Sequence, residues 1–162
     1  MIHRTTCRVC GDVLEPILSL GTQYVSDFPL TDEAQGIKAP LELVLCQKCR
    51  LLQLAHTVDP NEMYRNYWYH SGTNQTMRNA LADIALKAET LMALKSGDVV
   101  LDIGCNDGTL LSSLPNNSER IGIDPSNVIP TSGNGITFIR DFFPSPQLSG
   151  SNYAGSFNAI SS

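Results

Sequence analysis

Four of the five cysteines in this 162-residue sequence fall into two Cys-x-x-Cys pairs, Cys7 with Cys10 and Cys46 with Cys49, and thirty-five residues separate the pairs. No other feature constrains the chain as tightly. A Cys-x-x-Cys pair turns two sulfurs toward one ion from a tight backbone knuckle. Gly11, directly after the first pair, tolerates the turn such a knuckle requires. Two pairs supply four thiolates, the closed tetrahedral set of a structural zinc site, which holds a fold and leaves no ligand position for chemistry. Three other uses of the pattern compete. Disulfides suit an oxidising compartment, but the N-terminal MIHRTTCRVCGD lacks the apolar stretch of a secretory signal. Rubredoxin-type iron takes the same four sulfurs, but nothing else in the chain supports a redox role. A thioredoxin-like pair opens a helix after a strand, and neither pair clearly does so. Ligand spacing favours structural zinc over all three. His3 and His56 flank the pairs, yet four cysteines already complete the set.

Composition narrows the partners. The chain is 42% hydrophobic and 17% charged, which is globular rather than disordered. Net charge is −5, and residues 1–56 carry five Lys or Arg against six Asp or Glu, so no nucleic-acid partner is expected. No apolar run approaches the ~18 residues of a membrane span, so no membrane partner is expected either, and the location expected is cytoplasmic.

The remainder reads as α/β. Residues 76–94 carry Met77, Leu81, Ile84, Ala88 and Leu91 at spacings of three and four, the stripe of an amphipathic helix. Asn74 suits its N-cap, and Gly97 lies just past its end. Residues 99–104, 120–124, 136–140 and 156–161 read as short buried strands, with a short helix after the first. That order predicts a parallel sheet with right-handed crossovers. The division expected is a zinc-binding module over 1–60, an aromatic connector over 61–75 and an α/β domain over 76–162. A doubly wound sheet usually has five or more strands, and four would leave an apolar edge open. The expectation is therefore an N-terminal part of a longer polypeptide.

Asp102, Gly104 and Gly108 form an Asp-x-Gly-x-x-x-Gly loop straight after the first of these strands. Glycine there lets a ligand approach the backbone, and the helix start offers N–H groups. The dinucleotide pattern Gly-x-Gly-x-x-Gly is absent, because Cys105 and Asn106 follow Gly104. Asp102 can accept from an ammonium group. Asp124 ends the next strand, where an acid takes ribose hydroxyls. Asp141 follows the third strand, where it can accept from an adenine amino group, with Phe142 and Phe143 beside the ring. Ammonium, ribose and adenine together describe S-adenosylmethionine. An ordinary α/β domain with turn glycines and strand-end carboxylates remains the competing reading. Cys105 has no neighbour to lower its pKa and is expected as a small wall residue of the cofactor site. Tyr64, Tyr67, Trp68 and Tyr69, taken alone, read as a core-sealing aromatic cluster rather than a substrate surface.

CRVCG, CQKCRLLQL, VDPNEMYRNYWYHSGTN and LDIGCNDGTLL, in that order, resemble the zinc-containing, S-adenosylmethionine-dependent sugar C-methyltransferases. The resemblance covers essentially the whole sequence. It implies a small zinc domain, a class I (Rossmann-like) methyltransferase domain and a further C-terminal domain, with this chain ending inside the second. Cys7, Cys10, Cys46 and Cys49 match the family's zinc ligands. Asp102, Gly104, Asn106 and Gly108 match its cofactor loop, and Asp124 its ribose acid. The YWYHSGTN block matches a segment that lines the active site, which turns Tyr69 toward the sugar; His70 stands where the family more often has arginine. The implied substrate is a nucleotide-linked keto-deoxysugar, methylated at carbon. The family's general base, a histidine beside a glutamate, lies beyond Ser162, so the chain alone is expected to be inactive. The readings from other classes are a zinc-ribbon interaction module with a non-catalytic α/β domain, a nicotinamide-dependent oxidoreductase and a rubredoxin-like electron carrier.

Overall fold

The computed structural model describes residues 1–25, 36–149 and 157–162. It divides into two compact units, Met1–Arg65 and Asn66–Ser162. The division falls inside the aromatic connector expected over 61–75: Tyr64 goes with the first unit, and Tyr67, Trp68 and Tyr69 with the second.

The first unit is antiparallel. Strands β1 (Ile2–His3), β2 (Leu14–Tyr24), β3 (Lys38–Cys46), β4 (Leu52–Leu54) and β5 (His56–Thr57) form two sheets, β1 with β5 and β2-β3-β4. Pro16 lies in β2, an edge strand, where its missing N–H costs no ladder bond. A one-turn helix, α1 (Pro60–Tyr64), closes the unit and is capped by the Asp59 side chain on the Asn61 N–H. Its described core is thin. Ala39, Val44 and Ala55 are buried with Cys7 and Cys46, while Ile17, Leu18 and Leu20 of β2 lie exposed. So little buried apolar surface holds a sheet poorly unless something else ties it.

The second unit is a parallel sheet of β6 (Val99–Ile103), β7 (Glu119–Ile123), β8 (Ile136–Ile139) and β9 (Ala159–Ser161), in the order β8-β7-β6-β9. The four strands lie where the sequence predicts them; Ser156, the first residue of the expected fourth strand, lies outside the described residues. Alternation along each strand fills both faces. Val100, Cys105, Leu111, Leu114 and Ile136 pack with Ala85 on one side, and Leu101, Ile121, Ile123, Ile139 and Leu148 on the other. The helices that cover them are α2 (Gln75–Met92) and α3 (Thr109–Ser112) on the first face and α4 (Pro146–Ser149) on the second. This is the mixed α/β, Rossmann-like architecture expected. Among the described residues no helix is long and apolar enough to cross a membrane.

Helix α2 departs from its sequence reading in two ways. Asn74 does cap it, accepting from the Met77 N–H, but the helix stops at Ala93 in a left-handed conformation (φ 49°), four residues before Gly97. The buried face is centred on Ala85, the helix's one buried residue, and takes in the half-buried Leu81 and Ala88 of the predicted stripe but not its Met77, Ile84 or Leu91. Ile84 is 51% and Leu91 83% exposed. A small residue lets the helix approach the sheet, and the larger apolar residues beside it then face outward.

Candidate functional site

The two knuckles repeat one backbone design. Cys7 N donates to Asp12 O and Gly11 N to Cys7 O; Cys46 N donates to Leu51 O and Arg50 N to Cys46 O. The residue after each pair takes positive φ, Gly11 at 74° and Arg50 at 62°. Sequence reading finds the first, because glycine advertises it, and misses the second, because arginine does not. Cys7 Sγ lies 3.5 Å from Cys49 Sγ, and Cys10 Sγ 3.4 Å from Cys46 Sγ. All four sulfurs fall within 4.8 Å of one another. Tetrahedral zinc–thiolate geometry, with bonds near 2.3 Å, sets sulfurs roughly 3.8 Å apart. All four cysteines are free, and the donor set fits zinc.

The knuckle amides prepare the thiolates. N–H groups of Cys10 and Val9 lower the Cys7 thiol to about 6, and that of Cys49 lowers Cys46. Cys49 moves the other way, to about 12: the Leu51 N–H favours its thiolate, but burial and the three surrounding sulfurs outweigh it. Four negative sulfurs in one place repel, and a dication relieves that repulsion. Gln53, buried on β4, fastens the first knuckle from outside by accepting the Arg8 N–H at 3.1 Å.

The second cluster lies at the carboxyl end of the parallel sheet. The chain runs outward from β6 through β7 to β8 and then returns to the opposite side of β6 as β9. In open α/β sheets the crevice outside such a reversal is where ligands bind. Asp102 stands there on β6, 7% exposed, and accepts from Ser161 Oγ of β9 at 2.7 Å. Burial raises its carboxyl pKa, Ser161 opposes the rise, and the nearby Asp124 charge adds to it. Asp124 follows β7 and is equally buried. Its Oδ2 accepts the Asn106 N–H at 2.9 Å, and its Oδ1 accepts both the N–H and the hydroxyl of Ser126. Ser161 and Ser126 carry no motif, and sequence reading passes over both.

The loop between these acids is tied down on its inner side. Gly104 N and Cys105 N both donate to Ile123 O. Gly104 itself is exposed at φ 76°, and a Cβ there would meet nothing within 4 Å. The loop is therefore open on one face, beside two carboxylates that can only accept. A ligand rich in donors, such as an ammonium and a diol, complements that set, so the residues present fit S-adenosylmethionine. Gly108 has a different reason to be glycine: a Cβ there would come within 2.7 Å of the Phe138 ring. The Thr109 N–H at the opening of α3, expected to be available to a ligand, is already taken by Asp107 Oδ1.

Cys105 is buried, and burial, Asp102 and Asp124 all push its thiol upward, so it is no nucleophile. It packs inward, where Gly122 makes room for it; a Cβ on Gly122 would lie 2.6 Å from the sulfur. Asp141 Oδ1 accepts the Phe142 N–H and Oδ2 the Ser145 hydroxyl, beyond the end of β8. The Asn106 side chain is engaged by chain rather than left open. Its Nδ2 donates to Tyr69 O and its Oδ1 accepts the Ser71 N–H, each at 2.9 Å. Tyr69 is half-buried and edge-on to Trp68 and Tyr67, with ring centroids 6.4 Å apart in both pairs. Trp68 is 55% exposed, whereas Tyr67 and Tyr69 are half-buried.

Comparison with known proteins agrees with these features. Residues 7–64 match the model of a family described as "Putative zinc binding domain". The chain is also similar to the C-methyltransferase NovU of Streptomyces niveus, with 29% identity over 128 residues. That alignment takes in 74% of this chain and 30% of the relative's length.

Proposed function

We propose that this chain, similar to a C-methyltransferase over 74% of its length and to a putative zinc-binding domain over residues 7–64, supplies the zinc-held scaffold and the S-adenosylmethionine site of an enzyme that methylates carbon. The observation that carries the reading is the pair of buried carboxylates, Asp102 and Asp124, beside an exposed Gly104 at the sheet's reversal point.

Zinc sits on Cys7, Cys10, Cys46 and Cys49 and has a structural role, since four thiolates close its coordination. At the second site the bound cofactor supplies an electrophilic methyl group on a sulfonium. Asp102 receives the ammonium of the methionine part, and Asp124 the ribose hydroxyls. Asp141 and Phe142, beyond β8, meet the adenine. Gly104 lets that ligand lie against the backbone, and Tyr69 faces the acceptor. Burial raises the Asp102 pKa, and an arriving ammonium favours its charged form, so ligand binding and the ionisation of Asp102 are linked. The acceptor we propose is a nucleotide-linked keto-deoxysugar, because a neighbouring ketone lets a base remove a proton from a sugar carbon, and the resulting enolate would attack the methyl group with the neutral thioether as leaving group. Transfer to carbon also needs a base, and this reading assigns none among the residues of this chain. A cytoplasmic setting, where thiols stay reduced, suits four zinc-binding cysteines.

The test is metal analysis of freshly purified protein paired with calorimetric titration of S-adenosylmethionine, with NADH as the control. One zinc per chain and saturable S-adenosylmethionine binding is the expected result. Saturable NADH binding without S-adenosylmethionine binding would replace the reading with an oxidoreductase.

A further inference from the structure

The glycine loop also holds a second stretch of chain. Asn106 brackets His70 as a neighbouring strand would, donating to Tyr69 O and accepting from Ser71 N. One residue on, Asp107 Oδ2 accepts the Gly72 N–H at 2.8 Å, while Oδ1 takes the N–H and hydroxyl of Thr109. Arg78 of α2 closes the arrangement by donating to Gly72 O. The fit leaves no slack: a Cβ on Gly72 would come within 2.8 Å of Thr109 Oγ1 and 3.2 Å of Asp107 Oδ2. Four backbone groups between Tyr69 and Gly72 are thus fastened, three of them by the two residues that sit between Cys105 and Gly108. Asn106 adopts φ 53°, a left-handed conformation that asparagine tolerates better than most residues. Its own N–H is held by Asp124 Oδ2.

We infer that Asn106 and Asp107 are positioning residues for Tyr69, and that occupancy of the glycine loop is transmitted through them to the Trp68–Tyr69 pair. The inference rests on the cofactor reading of that loop. The physical link is Asp124. A ligand hydroxyl that donates to this carboxylate shares it with the Asn106 N–H, so the loop and everything Asn106 holds respond together. Holding Tyr69 by its backbone also lowers the ordering cost that its side chain would otherwise meet on binding an acceptor.

Trp68 is the chain's single tryptophan and lies edge-on to Tyr69, so it reports on this segment directly. The informative variant is Ser71→Pro. It removes the N–H that Asn106 accepts and sets a ring in its place. His70 before it is already extended (φ −111°, ψ 125°), as a residue preceding proline must be, and proline is well tolerated at the first position of a helical turn. S-adenosylhomocysteine is titrated into the 162-residue chain, followed by calorimetry and by Trp68 emission. The wild-type emission should change saturably with the calorimetric midpoint, and Ser71→Pro should keep the heat but lose the emission change. An unchanged emission response in Ser71→Pro overturns the inference, as does wild-type binding that leaves Trp68 silent. If Ser71→Pro fails to fold, Asn106→Asp serves: it keeps the size and the Ser71 acceptor but sets oxygen against Tyr69 O, and the same ratio of emission to heat is read.

Hydrogen exchange separates this inference from the cofactor reading. Without ligand, the Ser71 and Gly72 amides should be protected in the wild type and should exchange about tenfold faster or more in Asn106→Gly. The amides of β6 serve as the control. Absence of S-adenosylhomocysteine heat in the wild type would remove the cofactor reading and, with it, the transmission, leaving only the fastening of Tyr69 to Gly72. Unchanged Ser71 and Gly72 protection in Asn106→Gly would remove the fastening.

Discussion

Ser161 Oγ donates to Asp102 Oδ1 across fifty-nine residues of sequence, and that bond joins the carboxyl ends of β9 and β6, where the order of the sheet reverses. It is the one hydrogen bond that opposes a rise in the Asp102 pKa set first by burial and then added to by Asp124. A carboxyl raised in the folded state holds its proton more tightly there than in the unfolded chain. The stability linked to it is present at pH below the unfolded value and is lost as pH rises through the raised one. Asp102→Asn should therefore stabilise the ligand-free chain at pH 7, by on the order of 1 kcal/mol, and change little near pH 3. Ser161→Ala should act in the opposite sense at pH 7. Thermal unfolding followed from pH 3 to 8 checks both. In the same Asp102→Asn protein, S-adenosylmethionine affinity should fall by at least about tenfold, because a charged acceptor for its ammonium is gone.

Metal removal should act on one unit only. The first unit's described apolar core is Ala39, Val44 and Ala55 around two cysteines, while zinc on four thiolates contributes roughly 10–16 kcal/mol in small domains. A strong chelator should abolish the signal of the antiparallel sheet and leave the protected amides of β6 and β7 in place. Cys49→Ser should lose the metal, and Cys105→Ser should keep it. Retention of the β2–β3 amides after complete zinc removal would contradict this account.

Arg50 carries a strain that Gly11 avoids. Both close a knuckle at positive φ, but arginine has a Cβ that disfavours that region by about 1 kcal/mol or more. Arg50 is exposed, and among the described residues its side chain donates to Gln47 Oε1 alone. Arg50→Gly should therefore be neutral to stabilising, by up to about 1 kcal/mol, and should slow zinc transfer to a competing chelator. Faster zinc loss in the variant would show that the Gln47 contact outweighs the backbone relief.

The two glycines of the loop should separate when each is changed to alanine. Gly108→Ala adds a methyl group within 2.7 Å of Phe138 at a left-handed position, and a cost of about 2–4 kcal/mol is expected. Gly104→Ala meets no atom, so only the backbone strain of about 1 kcal/mol remains; its larger effect should be on S-adenosylmethionine binding, since the methyl group stands on the loop's open face. Urea denaturation and calorimetry on the two variants read the stability and binding effects independently.

Some of this was legible in residue order and some was not. The four metal ligands are legible from spacing, because each knuckle is a local structure that turns its two sulfurs one way; the fold then brings the two knuckles together. The strands of the parallel sheet follow from short apolar runs between turn residues. The face of α2 does not: its predicted stripe counts apolar side chains, whereas the sheet accepted the side centred on Ala85, where the helix can come closest. The same limit applies to the glycines. Gly104, Gly108 and Gly122 look alike in sequence, yet one faces open space, one a phenylalanine ring and one a cysteine sulfur.

The sequence by itself therefore determined the two cysteine knuckles, the alternation that buries both faces of the sheet, and the acids at its strand ends, since each depends on spacing over a few residues, whereas bringing Cys7 to Cys49 and Cys10 to Cys46 was left to the tertiary fold. Only the tertiary structure decided that β9 returns beside β6, that Ser161 reaches Asp102, and that Asn106 and Asp107 grip the backbone from Tyr69 to Gly72. Those contacts join residues thirty-five to fifty-nine positions apart. Their partners are chiefly backbone groups and a serine hydroxyl, which every chain carries and which no local pattern marks.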